Sequence, residues 1–188
     1  MATAEKLNWD PEFTPWHTPM EMLDLGIMQD AYYFPATKGL PSKYTNHPKA
    51  LKRGDEKDPK QNRFGVASRQ SWDEWKRKGW LHPEDPAGWI EWYFKYYEGR
   101  RLPKEDQRQI KRWKSFIARH QAQIVHSGQL KDLDARKKQR QALLHWAWDS
   151  TKEFTAENRK KALDRILKTA AKPKPALAEE SLKGSMLW

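Results

Sequence analysis

At 188 residues the chain is long enough for one domain with a real core, or one domain plus tails, and 37% hydrophobic content with 11 tryptophans makes that core largely aromatic. The absence of cysteine excludes a disulfide framework and a thiolate metal site, and there is no run of about 18 apolar residues to cross a membrane. A net charge of +11 points to a polyanionic partner, with a solvated surface as the plain alternative. The opening MATAEKLNWD lacks the charged-then-apolar plan of a secretory signal, so the expected location is cytoplasmic, or the virion or host cytoplasm for a viral protein.

Residues 1–17 have no helical period and two prolines, and read as an extended arm whose Trp9, Phe13 and Trp16 are free to dock on the body. TPMEMLDLG then predicts a short helix. Thr18 caps it, Pro19 fits its first turn, Glu21 closes a capping box and Gly26 ends it, with Met22, Leu23 and Ile27 facing the core. Residues 29–69 are rich in turn formers and read as a loop-rich stretch. Ser71, with Glu74 at capping-box spacing, opens a helix that carries Trp72 and Trp75 and stops at Gly79.

The next stretch, DPAGWIEWYFKYYEGRR, predicts an aromatic helix with Asp85 as cap, Pro86 in the first position and Gly99 just past the end. Its aromatic residues and Ile90 cover more than half the circumference, leaving Glu91, Lys95 and Glu98 as a polar strip. A helix so widely apolar belongs at the centre of the core. A Tyr or Trp at its rim would alternatively offer a flat face to a nucleic-acid base. After Arg100, Arg101 and Pro103, a longer helix is expected from Lys104 to about His126, stopped by Gly128. Ile110, Trp113, Phe116, Ile117 and Ile124 form its apolar stripe, and Lys104, Arg108, Lys111, Arg112 and Arg119 lie opposite. His120 falls within the apolar stripe, where a histidine is ordinarily a hydrogen-bonded core residue.

Beyond Gly128, Asp132 or Asp134 caps a helix with Arg136, Lys137, Lys138 and Arg140 in its first half and Leu143, Leu144 and Ala147 packing its second. Positive charge there opposes the helix macrodipole, which favours a functional reading of the cluster. A last helix over 156–171, capped by Thr155, is broken by Lys172-Pro173, and 172–188 read as a flexible tail. The expected fold is therefore all-α: about five helices around a Trp/Tyr-rich core over residues 18–171, with an N-terminal arm and a C-terminal tail.

No phosphate-binding glycine loop, HExxH or other metal pattern, or nucleophile turn occurs, and no cofactor or metal is expected. Between Arg100 and Arg140 thirteen basic residues stand against four acidic ones, a local excess of nine. This predicts a nucleic-acid-binding accessory protein meeting DNA or RNA phosphates through Arg100, Arg101, Lys104, Arg108, Lys111, Arg112, Arg119, Arg136, Lys137, Lys138 and Arg140. Two alternatives stand beside it. One is an enzyme modifying or cleaving nucleic acid, with Glu84, Asp85, Glu105 or Asp106 as the catalytic carboxylate beside a basic groove. The other is a virion or structural protein that meets a protein partner through its arm or tail.

The blocks TPMEMLDLG, SWDEWKRKGWLHPEDPAGWIEWYFKYYEGRRLPKEDQRQIKRWKSFIARHQAQI and RKKQRQALLHWAWDS resemble a family of uncharacterised proteins of bacteria, phages, large DNA viruses and some eukaryotes. The likeness covers most of Thr18 to Ser150. Family members carry cysteines in the aromatic helix and in the loop before the last block. Here Phe94 takes the helix position and the loop has none, which argues against a metal role carried by those cysteines. The resemblance implies one folded unit and a viral or phage setting, and no activity or site.

Overall fold

Caps, prolines and glycines place most helix ends where the sequence puts them. In the computed structural model residues 3–29, 40–50, 55–152 and 155–174 are described. They form α1 (Pro19–Asp24), α2 (Ser42–Thr45), α3 (Trp72–Arg77), α4 (Trp89–Tyr97), α5 (Pro103–His126), α6 (Lys137–Leu144) and α7 (Ala156–Thr169), with a 3-10 turn at Pro59–Gln61. The fold is all-α, seven α-helices among the described residues where about five were expected. Short α2 was not foreseen, lying in the loop-rich 29–69, of which 30–39 and 51–54 are outside the described residues.

At α1 the capping box forms as predicted. The Thr18 amide donates to Glu21 Oε2 at 2.7 Å and the Glu21 amide to Thr18 Oγ1 at 3.3 Å. Gly26 ends it at φ 69°, where a Cβ would lie 2.4 Å from the Gln61 carbonyl oxygen, so glycine admits the 3-10 turn against α1. Ser71 and Thr155 cap α3 and α7 through the amides of Glu74 and Asn158.

α4 departs from its prediction in two ways. It starts at Trp89 rather than Pro86, because residues 82–88 make successive turns in which Asp85 N donates to His82 O at 2.9 Å and Gly88 N to Asp85 O at 2.8 Å. The Asp85 side chain therefore caps nothing. Nor does α4 keep a polar strip over Glu91 and Lys95, since all nine of its residues are buried. The 82–88 turns lie over that side, where Lys95 donates to the Glu84 carbonyl and lies 2.7 Å from Glu91 Oε1, while the Ala87 amide donates to Glu91 Oε2 at 2.7 Å. Burial raises the Glu91 carboxyl above its usual range against the opposing pull of the Lys95 and Ala87 bonds.

The N-terminal segment docks through Trp9, Phe13 and Trp16 as expected, and so deeply that it is part of the core. Leu7, Trp9, Phe13 and Trp16 are buried, Phe13 completely. The Phe13 ring lies 5.1 Å from Trp113, 5.4 Å from Trp92, 5.5 Å from Tyr93, 5.8 Å from Tyr96 and 6.2 Å from Trp89, mostly edge-to-face. It is the hub between α4 and α5. At the other end, Ala171 N donates to Tyr97 O at 2.9 Å and Lys174 N to Gly99 O at 2.8 Å. Gly99, at φ 88°, leaves room for this because a Cβ would stand 2.1 Å from the Lys172 carbonyl oxygen. Residues 172–174 thus belong to the body rather than to a tail, and the rest of the tail, 175–188, lies outside the described residues.

Asp149 ties the stretch after α6 to the N-terminal segment. Buried after α6, it accepts from the amide and hydroxyl of Thr151 at 2.9 and 2.6 Å, while His17 Nε2 stands 3.6 Å and Arg63 3.9 Å from Oδ2. Burial alone would raise its carboxyl, but the nearby His17 imidazole and the two Thr151 bonds outweigh it and hold it far below the usual carboxylate range. A depressed acid contributes stability that is fully present above the unfolded value, about 3.9, and lost as pH falls towards the folded one. Asp149→Asn is expected to cost on the order of 1–3 kcal/mol near neutrality and to flatten the loss of melting temperature below about pH 4. Melts of both proteins from neutral to acid pH measure this. Parallel curves would remove Asp149 as the acid-sensitive group.

Candidate nucleic-acid interface

α5 separates its residues by face as the sequence predicts. Ile110, Trp113, Ile117 and Ile124 are buried and Phe116 is half-buried, while Lys104, Arg108, Lys111 and Arg119 are exposed opposite them. At about 1.5 Å per residue these four span roughly 22 Å. Arg108 is 44% exposed but holds Glu105 in a two-pronged bond, both at 2.7 Å. Arg112 is half-buried. It donates to Gln109 Oε1 at 2.9 Å and sits 5.7 Å over the Trp146 ring, and burial, then the nearby Arg108, pull its pKa down. His120, expected as a hydrogen-bonded core residue, is instead half-exposed and stacked on Phe116 at 4.0 Å, with no partner for Nδ1; burial, then Arg119, favours its neutral form.

Three arginines expected on phosphates face inward. Arg100 donates to both oxygens of the fully buried Asp85 at 2.7 Å. Arg101 donates to the carbonyls of Leu7, Asn8, Tyr96 and Arg100 and lies 3.9 Å over the Tyr96 ring, so it fastens the N-terminal segment to the end of α4. Arg140, fully buried, donates to the carbonyls of Gln129, Leu130, Asp132 and Ala135 and to Ser150 Oγ. The physical reason is common to all three. A planar guanidinium with five donors satisfies several converging oxygens at once, and those bonds compensate its burial. Arg136 and Lys138 remain exposed at the start of α6, and Lys137 pairs with Asp134 at 2.6 Å. α6 also starts later than expected. Asp132 caps the preceding turn by accepting from the amides of Asp134 and Ala135, and Arg136 takes a left-handed conformation at φ 57°.

The acidic candidates converge in part. His82, Asp85 and Glu105 bring one ligand atom each to within 4.8 Å of one another. Asp106 goes elsewhere, accepting from Trp92 Nε1 and the Leu102 amide, both at 2.8 Å. Glu84 is half-buried and contributes its carbonyl to Lys95. His82, not among the expected site residues, stands 3.8 Å from Glu105 Oε2, and its signal was its place three residues before Asp85 in the HPEDP turn.

The lone pairs of this cluster are already engaged. Asp85 carries two Arg100 bonds and has Lys95 at 3.4 Å, while Glu105 takes Arg108 and the Gln109 amide. Burial would raise the Glu105 carboxyl, yet the bonds from Arg108 and Gln109 outweigh it and hold it low. Asp85, Glu91 and Glu105 therefore face Lys95, Arg100 and Arg108, a balanced set in which a divalent cation would meet three fixed positive charges. The cluster is a latch joining the 82–88 turns to α4 and α5. No known protein family, curated protein or solved structure matches the chain. No helix among the described residues is long and apolar enough to cross a membrane.

What the surface offers a partner is thus the outward side of α5. Its exposed cations recur at helical spacing, while the carboxylate nearest them, Glu105, is covered by Arg108. Ion pairs beneath that row fix the helix that carries it. Lys104, Lys111 and Arg119 stand exposed along it, and Arg108 turns its guanidinium to Glu105.

Proposed function

We propose that the chain is a nucleic-acid-binding protein that meets phosphates along the outward face of α5. The observation carrying this is the exposed row Lys104, Arg108, Lys111 and Arg119, set on a helix whose other face is locked into the core. A row of roughly 22 Å matches the rise of about six or seven base steps. Contacts of this kind supply affinity without sequence choice. The carboxylates that a cleavage reaction would use are occupied by Arg100, Arg108 and Trp92, so binding is favoured over catalysis.

The double substitution Lys111→Glu and Arg119→Glu tests this. Both residues are exposed, so the melt should move by less than about 1 kcal/mol equivalent. The slope of log affinity against log salt should fall by roughly two, one for each lost phosphate contact. Fluorescence anisotropy with a labelled oligonucleotide from low to moderate salt reads it. An unchanged slope, or no binding by the wild type at low salt, would refute the proposal.

A further inference from the structure

Among the described residues one aromatic side chain is left largely in solvent, in the turn that follows α3. Trp80 is 48% exposed. It follows α3 in a tight turn, its amide donating to the Trp75 carbonyl at 3.0 Å. Lys78 Nζ lies 4.5 Å from its ring centroid. Two residues on, His82 reaches Glu105 of α5 at 3.8 Å, and Glu105 is held by Arg108. The turn that carries Trp80 is therefore tied to Arg108 of the α5 row through His82 and Glu105.

The turn that presents Trp80 is fixed at its far side. His82 and Asp85 form an antiparallel bridge, and Asp85 is clamped by Arg100. The indole is held out on a braced turn rather than folded into the tryptophan-rich core beside it. Its near neighbours in sequence add Lys76, Arg77 and Lys78 against Asp73 and Glu74. An exposed flat ring with a cation over it, leading into a row of phosphate-binding residues, has the two parts used to hold unpaired bases: a stacking surface and an electrostatic track. A duplex keeps its base faces stacked on one another and offers the indole nothing comparable.

We infer that Trp80 stacks on an unpaired base and that the nucleic acid followed by α5 is single-stranded. This rests on the phosphate reading of α5 and adds the substrate class. The base lies on the Trp80 indole, and the strand runs from there past Arg108 towards Arg119.

The test uses the full chain with an oligonucleotide of about 20 nucleotides, labelled at one end, as a single strand and annealed to its complement. Wild type should bind the single strand more tightly than the duplex. Trp80→Ala should weaken single-strand binding roughly 5- to 150-fold, the range given by base–aromatic stacking, and leave duplex binding and the salt slope unchanged. Trp80→Phe should restore much of the loss. A strand carrying 2-aminopurine should show quenching on binding that Trp80→Ala removes. Unchanged single-strand affinity in Trp80→Ala, while Lys111→Glu with Arg119→Glu still lowers the salt slope, overturns this inference and leaves the phosphate reading standing. Equal losses on both forms of DNA overturn it as well. Absence of all binding by the wild type overturns both.

Discussion

A variant lacking residues 1–17 is expected not to fold. Four buried apolar side chains leave with it, Leu7, Trp9, Phe13 and Trp16, and Phe13 alone fills the space among five rings of α4 and α5. Phe or Trp to Ala in a core typically costs about 3–5 kcal/mol, and a domain of this size has only about 5–15 kcal/mol in total. The deletion also strips Arg101 of the Leu7 and Asn8 carbonyls and Tyr96 of its bond to the Asp10 amide at 2.9 Å. A buried guanidinium left short of acceptors adds its own penalty. Phe13→Ala is the graded version, with an expected loss of about 3–5 kcal/mol. Circular dichroism and denaturant melts decide between the two pictures. A truncated chain that keeps its helicity and a cooperative melt would make the segment an appendage after all.

That contrast marks where the sequence is readable and where it stops. The ends of α1, the cap of α7, the glycine after α4 and the two faces of α5 depend on residues three or four apart, so local spacing reveals them. The fate of Phe13 depends on contacts some 80 to 100 positions away, at Tyr93, Tyr96 and Trp113, and a segment without helical period carries no local mark of them. The arginines divide in the same way. Arg100, Arg101 and Arg140 share the composition and clustering of Lys111, Arg119 and Lys138, but chain folding turns oxygens onto the first three: a carboxylate 15 residues back for Arg100, the N-terminal segment for Arg101 and the loops flanking α6 for Arg140. The acidic pair at the candidate site was legible as two turns, HPEDP and PKED. Their meeting through His82 was not, because it depends on the 82–88 turns packing across α4.

Asp85→Ala is expected to cost about 3–5 kcal/mol, the penalty for breaking a buried ion pair, rather than the ~1 kcal/mol of a lost helix cap. The carboxylate is fully buried and receives both terminal nitrogens of Arg100, whose remaining Nε is buried without a partner. Its removal leaves the guanidinium with no acceptor on that side, and Lys95 with Glu91 and the Glu84 carbonyl. Arg100→Met, which keeps the apolar stem and deletes the charge, should be costly alone for the mirror-image reason. The double variant should recover part of the loss, because it leaves no uncompensated charge between the two positions. A coupling of roughly 1–3 kcal/mol between the substitutions is the signature. Denaturant midpoints of wild type, the two single variants and the double variant measure it. Additive losses near 1 kcal/mol each would return Asp85 to the role of a cap and dissolve the latch. With the predicted coupling, the 82–88 turns that follow Trp80 are held by charge inside the protein, on a carboxylate that never meets solvent.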